Sequence, residues 1–196
     1  MGRYDHNTRL KKRVWLHAAA IYLPTFTMND DMGNFQAAEE LLDPCNIGLR
    51  VWPLGGSKES RNSLPLIRYA QPIGNTASAY RQLRQDVDQL LRKNGDSGYP
   101  FVIPIVFCRF EAGGLAITPH STKIGCGAPA CLIATSGLAL ADKMTILHEM
   151  GHSALYPNRD HDSTERGNLM HEAEPRTFLF EYQIDAFAKA FFTHAA

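Results

Sequence analysis

The spacing of apolar positions changes period several times along the chain, and each change predicts an element. Val14, Leu16, Ile21 and Leu23 lie in a run that predicts a first strand over 13–23, feeding a helix over 33–44. Further strands are expected over 47–53, 100–110 and 131–136, with a short edge segment at 114–119. Leu83, Val87, Leu90 and Leu91 recur at helical spacing over 76–93, with Thr76 as cap and Gly95 as stop. After Gly137 a second helical pattern carries Leu138, Leu140, Met144, Ile146, Leu147 and Met150. It is apolar around much of its circumference, as a helix packed inside a core must be. Ser136 and Asp142 are both candidates for its cap, and Pro157 disfavours helical geometry at Tyr156, so the helix should end near Leu155. A closing helix is expected over 177–193, with Phe180, Ile184, Phe187, Ala188 and Phe191 inward and its acids outward. The stretch 54–64 reads as a loop.

Length and charge narrow the classes. A chain of 196 residues is expected to form one domain, 1–196, large enough to hold a rigid site, and a monomer is the default expectation. Its 20 basic and 20 acidic residues cancel, and no basic patch suggests a nucleic-acid partner. Arg9, Lys11, Lys12 and Arg13 form only a short basic run. The apolar residues after it superficially resemble a signal peptide, but His17 interrupts them and a strand suits them better. The run is also too short to span a membrane, and Gly2 is followed by His6 where myristoylation prefers Ser or Thr. The expectation is therefore a cytoplasmic protein, or one exported without a signal peptide. Cys45, Cys108, Cys126 and Cys131 form no C-x-x-C pair; free thiols or one local Cys126–Cys131 disulfide are both open.

The chemistry is concentrated at His148-Glu149-Met150-Gly151-His152, which spells H-E-x-x-H. Residues four apart share a helix face, so both imidazoles can reach one metal ion. Glu149 stands one position on, placed to act on a water without being a ligand. Two nitrogen ligands, an open coordination place and a general base make a zinc hydrolase, with one catalytic Zn²⁺ as cofactor. A catalytic zinc usually takes a third protein ligand. Downstream lie His161, Asp162, His171, Glu172, Glu174 and Glu181. His161 is favoured, because the turn-forming residues 156–160 can fold the chain back onto the helix.

With His161 and the following Asn168-Leu169-Met170, the chain resembles the metzincin metallopeptidases, whose pattern is H-E-x-x-H-x-x-G-x-x-H followed by a methionine-bearing turn. The resemblance implies His148, His152 and His161 as ligands, Glu149 as base and Met170 beneath the metal. It also implies an α/β (α+β) zincin: a twisted mixed sheet with an antiparallel edge strand, packed by the active-site helix and a C-terminal helix. The family glycine falls on Leu155 and its third histidine on Asn158, so His161 requires a three-residue insertion, which a loop tolerates. The implied substrate is a protein or peptide bound in extended form along the edge segment at Leu115, Ala116 and Ile117.

Glu181 and Asp185 support a rival scheme. They lie four apart on the closing helix, and Glu181 follows His152 by 29 residues. In this they resemble gluzincins, including the regulator-cleaving ImmA/IrrE type, which implies Glu181 as third ligand and Asp185 behind a ligand. A reading of another class is an inactive, protease-like binding module. The intact Glu149 speaks against it.

Overall fold

The computed structural model describes residues 10–25, 31–54, 66–74, 76–94, 102–108, 131–134, 143–155, 165–171 and 175–195. Its strands are β1 (Val14–Tyr22), β2 (Ile47–Leu54), β3 (Ile103–Cys108), β4 (Cys131–Ala134) and β5 (Thr193–Ala195). Its α-helices are α1 (Asp31–Leu42), α2 (Ala77–Asn94), α3 (Thr145–Ala154) and α4 (Glu181–Lys189). The sheet runs in the order β2-β1-β3-β4, and β5 also pairs with β1. β3 lies parallel to β1, from Ala18 opposite Ile103 to Tyr22 opposite Phe107, and β4 lies parallel to β3. β5 is antiparallel to β1, with Val14 opposite Ala195 and Leu16 opposite Thr193. The protein is thus a mixed α/β fold with an open mixed sheet.

Buried on both faces, the strands read as apolar runs and not as alternations: β1 is buried continuously from Ala18 to Tyr22, and β3 along its whole length. The described residues fall into two compact units, one within 1–17, 30–50 and 140–196, the other within 18–29 and 51–139. In the second unit the predicted stripe Leu83, Val87, Leu90 and Leu91 packs with Ile21, Leu23 and Val106. Thr76 caps α2 as expected, its Oγ1 accepting from the Ala79 N–H at 3.2 Å. Asp86 on the same helix is buried and accepts from the Tyr69 hydroxyl at 2.6 Å and from Gln82 at 3.2 Å, as a buried acid requires.

In the first unit α1 packs on α3, and α3 on α4. The guanidinium groups of Arg13 and Arg50 lie over the Trp15 ring, at 4.8 and 4.3 Å from its centroid, and Gly48 leaves the room that the indole occupies. His17 stacks on His194 across the β1–β5 pairing, with ring centroids 4.1 Å apart. Among the described residues no helix is long and apolar enough to cross a membrane.

α1 and the closing helix differ from expectation in their bounds. α1 ends at Leu42, because Pro44 disfavours helix at the residue before it; Asp43–Cys45 form a 3-10 turn closed by Asn46 in the left-handed region. The closing helix does not run over 177–193. Thr177 and Phe178 are extended because they bond to Gly167 and Leu169 of the preceding turn. At the other end Ala190 leaves the helix with ψ 149 and the chain becomes β5. The antiparallel partner seen is therefore β5. The edge segment 114–119 lies outside the described residues, as does Cys126.

Candidate metal centre

The ten-residue helix α3 inserts Ile146, Leu147 and Met150 into the core with no exposed surface. It ends at Leu155, whose N–H bonds to the Gly151 carbonyl, where Pro157 led the sequence to place its end. It begins later than its apolar pattern suggests. The cap is Met144, without a side-chain hydrogen bond; the expected candidates Ser136 and Asp142 lie outside the described residues.

On this helix the sequence motif becomes a geometric one. His148, Glu149 and His152 bring one ligand atom each within 4.8 Å of the others, an arrangement that could hold a metal ion. Both histidines are buried, at 4 % and 2 % exposure. Their Nε2 atoms stand 3.2 Å apart. Two imidazoles on one tetrahedral zinc, each bonded at about 2.0–2.1 Å, have their nitrogens about 3.3 Å apart. The spacing fits that ion without rearrangement.

The protonation pattern fits as well. His148 Nδ1 lies 2.7 Å from the Leu169 carbonyl oxygen, which can only accept. Nδ1 therefore carries the proton, and Nε2 of the neutral ring presents its lone pair towards His152. Glu149 completes the set. Its Oε2 is buried without a hydrogen-bond partner, and burial pushes the carboxyl up to about 8, against the opposing charge of Arg176. A carboxylate oxygen of Glu149 lies within 4.8 Å of the histidine ligand atoms, where a cation or a water held by one would satisfy these buried polar groups.

The floor of the site is the turn at 166–171. Gly167 has φ +98, in the region that favours glycine. Asn168 Oδ1 then accepts the Met170 N–H at 2.8 Å, and the His171 N–H bonds to the Asn168 carbonyl at 3.0 Å. This turn presents the Leu169 carbonyl to His148 and buries Met170 completely, its sulfur against Gly151 of α3. Asn168 is joined to Gln183 of α4 by two hydrogen bonds, of 2.9 and 2.8 Å.

Of the candidate residues, the structure brings together His148, Glu149 and His152 and packs Met170 against Gly151 of their helix. Glu181 stands exposed on the first turn of α4, outside the His–Glu–His group. Asp185 is 58 % exposed and 3.8 Å from Lys189. His171 is half-buried, and its carbonyl accepts from Arg176 Nε at 3.1 Å. His161, Asp162, Glu172, Glu174 and the segment Leu115, Ala116, Ile117 lie outside the described residues. Sequence reasoning placed Asn168 in the methionine-bearing turn without giving its side chain a role, and missed the parts played by Gly151, Arg176, Gln183 and the Leu169 carbonyl. The Gly-Asn pair at 167–168 is a turn signal consistent with that placement. Nothing in the helical pattern of α4 singles out Gln183. The sequence matches no protein-family model and no curated protein.

Proposed function

We propose that this chain is a zinc-dependent endopeptidase of the metzincin kind. The observation that carries the reading is the pair of Nε2 atoms 3.2 Å apart on two buried histidines, with a carboxylate oxygen of Glu149 within 4.8 Å of the histidine ligand atoms. His148 and His152 would hold the ion through neutral imidazole nitrogens, with His161 as the third ligand. Zinc bound there would polarise a carbonyl and lower the pKa of a water.

The chain's own groups supply the rest. Glu149 takes a proton from the attacking water and delivers it to the leaving amine nitrogen. A carboxyl whose proton affinity burial has raised to about 8 is matched to that task near neutral pH. The hydrogen bond from His148 Nδ1 to the Leu169 carbonyl keeps the ring from rotating out of line. An extended peptide would add as a strand along the segment containing Leu115, Ala116 and Ile117.

The test is elemental analysis of the purified protein, followed by incubation of the zinc-loaded form with unstructured polypeptides. About one zinc per chain is expected, with cleavage that a chelator stops. A fully loaded protein that cuts nothing would instead support a protease-like binding module. Failure to retain zinc would remove the reading altogether.

A further inference from the structure

Two buried amides, Asn168 and Gln183, join the 166–171 turn to α4, and fixed donors dictate their orientations. A backbone N–H can only donate. The atom facing the Met170 N–H at 2.8 Å is therefore Asn168 Oδ1, and the atom facing the Phe180 N–H at 2.9 Å is Gln183 Oε1. With both oxygens assigned, the two NH₂ groups complete a reciprocal pair. Asn168 Nδ2 donates to Gln183 Oε1 at 2.9 Å, and Gln183 Nε2 donates to Asn168 Oδ1 at 2.8 Å. Both residues are 1 % exposed or less, so no water competes for these bonds. An acid at either position would set oxygen against oxygen.

Next to this pair stands Leu169. Its N–H bonds to the Phe178 carbonyl at 2.8 Å, and its own carbonyl receives the His148 Nδ1 proton at 2.7 Å. The carbonyl that fixes His148 is thus held in place from one side by Asn168 and from the other by Phe178. Free histidine prefers the opposite neutral form, with the proton on Nε2, and that form would offer a cation no lone pair at this atom.

We propose that Asn168 and Gln183 are positioning residues for His148. Their amide pair holds the Leu169 carbonyl where it keeps the imidazole in its Nδ1–H form, with Nε2 available to a cation. α4 thereby tunes a metal centre to which it contributes no ligand. The inference rests on the metal-site reading above, but its first readout needs no metal.

The experiment uses full-length protein with ¹⁵N-labelled histidine, stripped of metal, and reads the His148 tautomer from two-bond proton–nitrogen correlations. The parent should show Nδ1 protonated. Gln183→Glu and Asn168→Ser should shift His148 towards the Nε2–H form. Their zinc affinity, measured by competition with a chromogenic chelator, should weaken by about 10–100-fold. Lys189→Gln, on the same helix but exposed, should change neither. If Gln183→Glu fails to fold, Asn168→Ser answers alone, since its hydroxyl can still accept from the Met170 N–H. A parent with the proton on Nε2, or folded variants with the parent's tautomer and zinc affinity, would overturn the proposal. A parent that binds no zinc yet keeps the Nδ1–H form would remove the peptidase reading and leave the positioning role standing.

Discussion

The thioether of Met170 packs against the bare Cα of Gly151, so closely that a Cβ on Gly151 would overlap the sulfur. Alanine normally gains about 1 kcal/mol over glycine inside a helix. Here Gly151→Ala should instead destabilise by about 1–3 kcal/mol, because the added Cβ meets the sulfur of a fully buried Met170, which must shift within the core. Urea unfolding of Gly151→Ala, Met170→Ala and the double variant checks this. The double variant should lose less than the sum of the two singles. Strict additivity would mean that the close approach has no energetic content. Met170→Leu, nearly equal in volume, should fold at a cost below about 1.5 kcal/mol.

Glu149→Gln keeps the shape of the side chain and removes its basicity. If Glu149 is a base and not a ligand, zinc should remain near one per chain while hydrolysis falls by about 10²–10⁴-fold. Metal content and turnover, measured on the same preparation, separate the two roles. Loss of zinc in this variant would make Glu149 a ligand and break the proposed chemistry.

Removing His161 and Glu181 one at a time decides the third ligand. His161→Ala should lower zinc affinity by orders of magnitude. Glu181→Ala should retain zinc and change stability by no more than about 0.5 kcal/mol, since its side chain is exposed. The reverse pattern would select the gluzincin scheme, and equal retention by both would point to Asp162 or His171.

The His17–His194 stack makes the β1–β5 pairing sensitive to acid. Burial lowers the His17 pKa from 6.5 to about 4, and the charges of His194 and Arg50 act in the same direction. A folded-state pKa below the unfolded one means that the unfolded chain binds the proton first. The stability from this group is therefore intact above pH 6.5 and is lost as the pH falls towards 4. The urea midpoint should drop between pH 6.5 and 5, and His17→Gln should flatten that drop. An equal drop in the variant would assign the effect elsewhere.

What could be read beforehand follows the range of the forces involved. The ends of α2 and α3 were legible at Thr76 and Pro157, because a cap and a proline act on neighbours in sequence. The H-E-x-x-H group was legible because helical spacing alone brings His148 and His152 together. The start of α4 was not. Thr177 and Phe178 continue an apolar stretch, and only their bonds to Gly167 and Leu169 keep them extended. β5 was missed for the same reason, since Thr193-His194-Ala195 has no strand signature until Val14, Trp15 and Leu16 lie beside it. Gln183 reads as one more polar residue on an amphipathic helix. Its importance comes from Asn168, 15 residues earlier, and a reciprocal amide pair leaves no periodic trace.

The brevity of α3 makes it dependent on its neighbours. A helix of ten residues with no side-chain cap lies below the length that persists alone in water, about 12–15 residues even for favourable sequences. An excised peptide covering 143–155 would be coil, its two imidazoles wandering independently. Packing against α1, α4 and the Met170 turn supplies the support that the isolated helix lacks, and with His148 held by the Leu169 carbonyl an ion is expected to enter a scaffold formed without it. In this respect the centre would differ from a zinc finger, which collapses around its metal. Zinc added to the unfolded chain should not hasten refolding, whereas zinc added to the folded chain should raise its melting temperature.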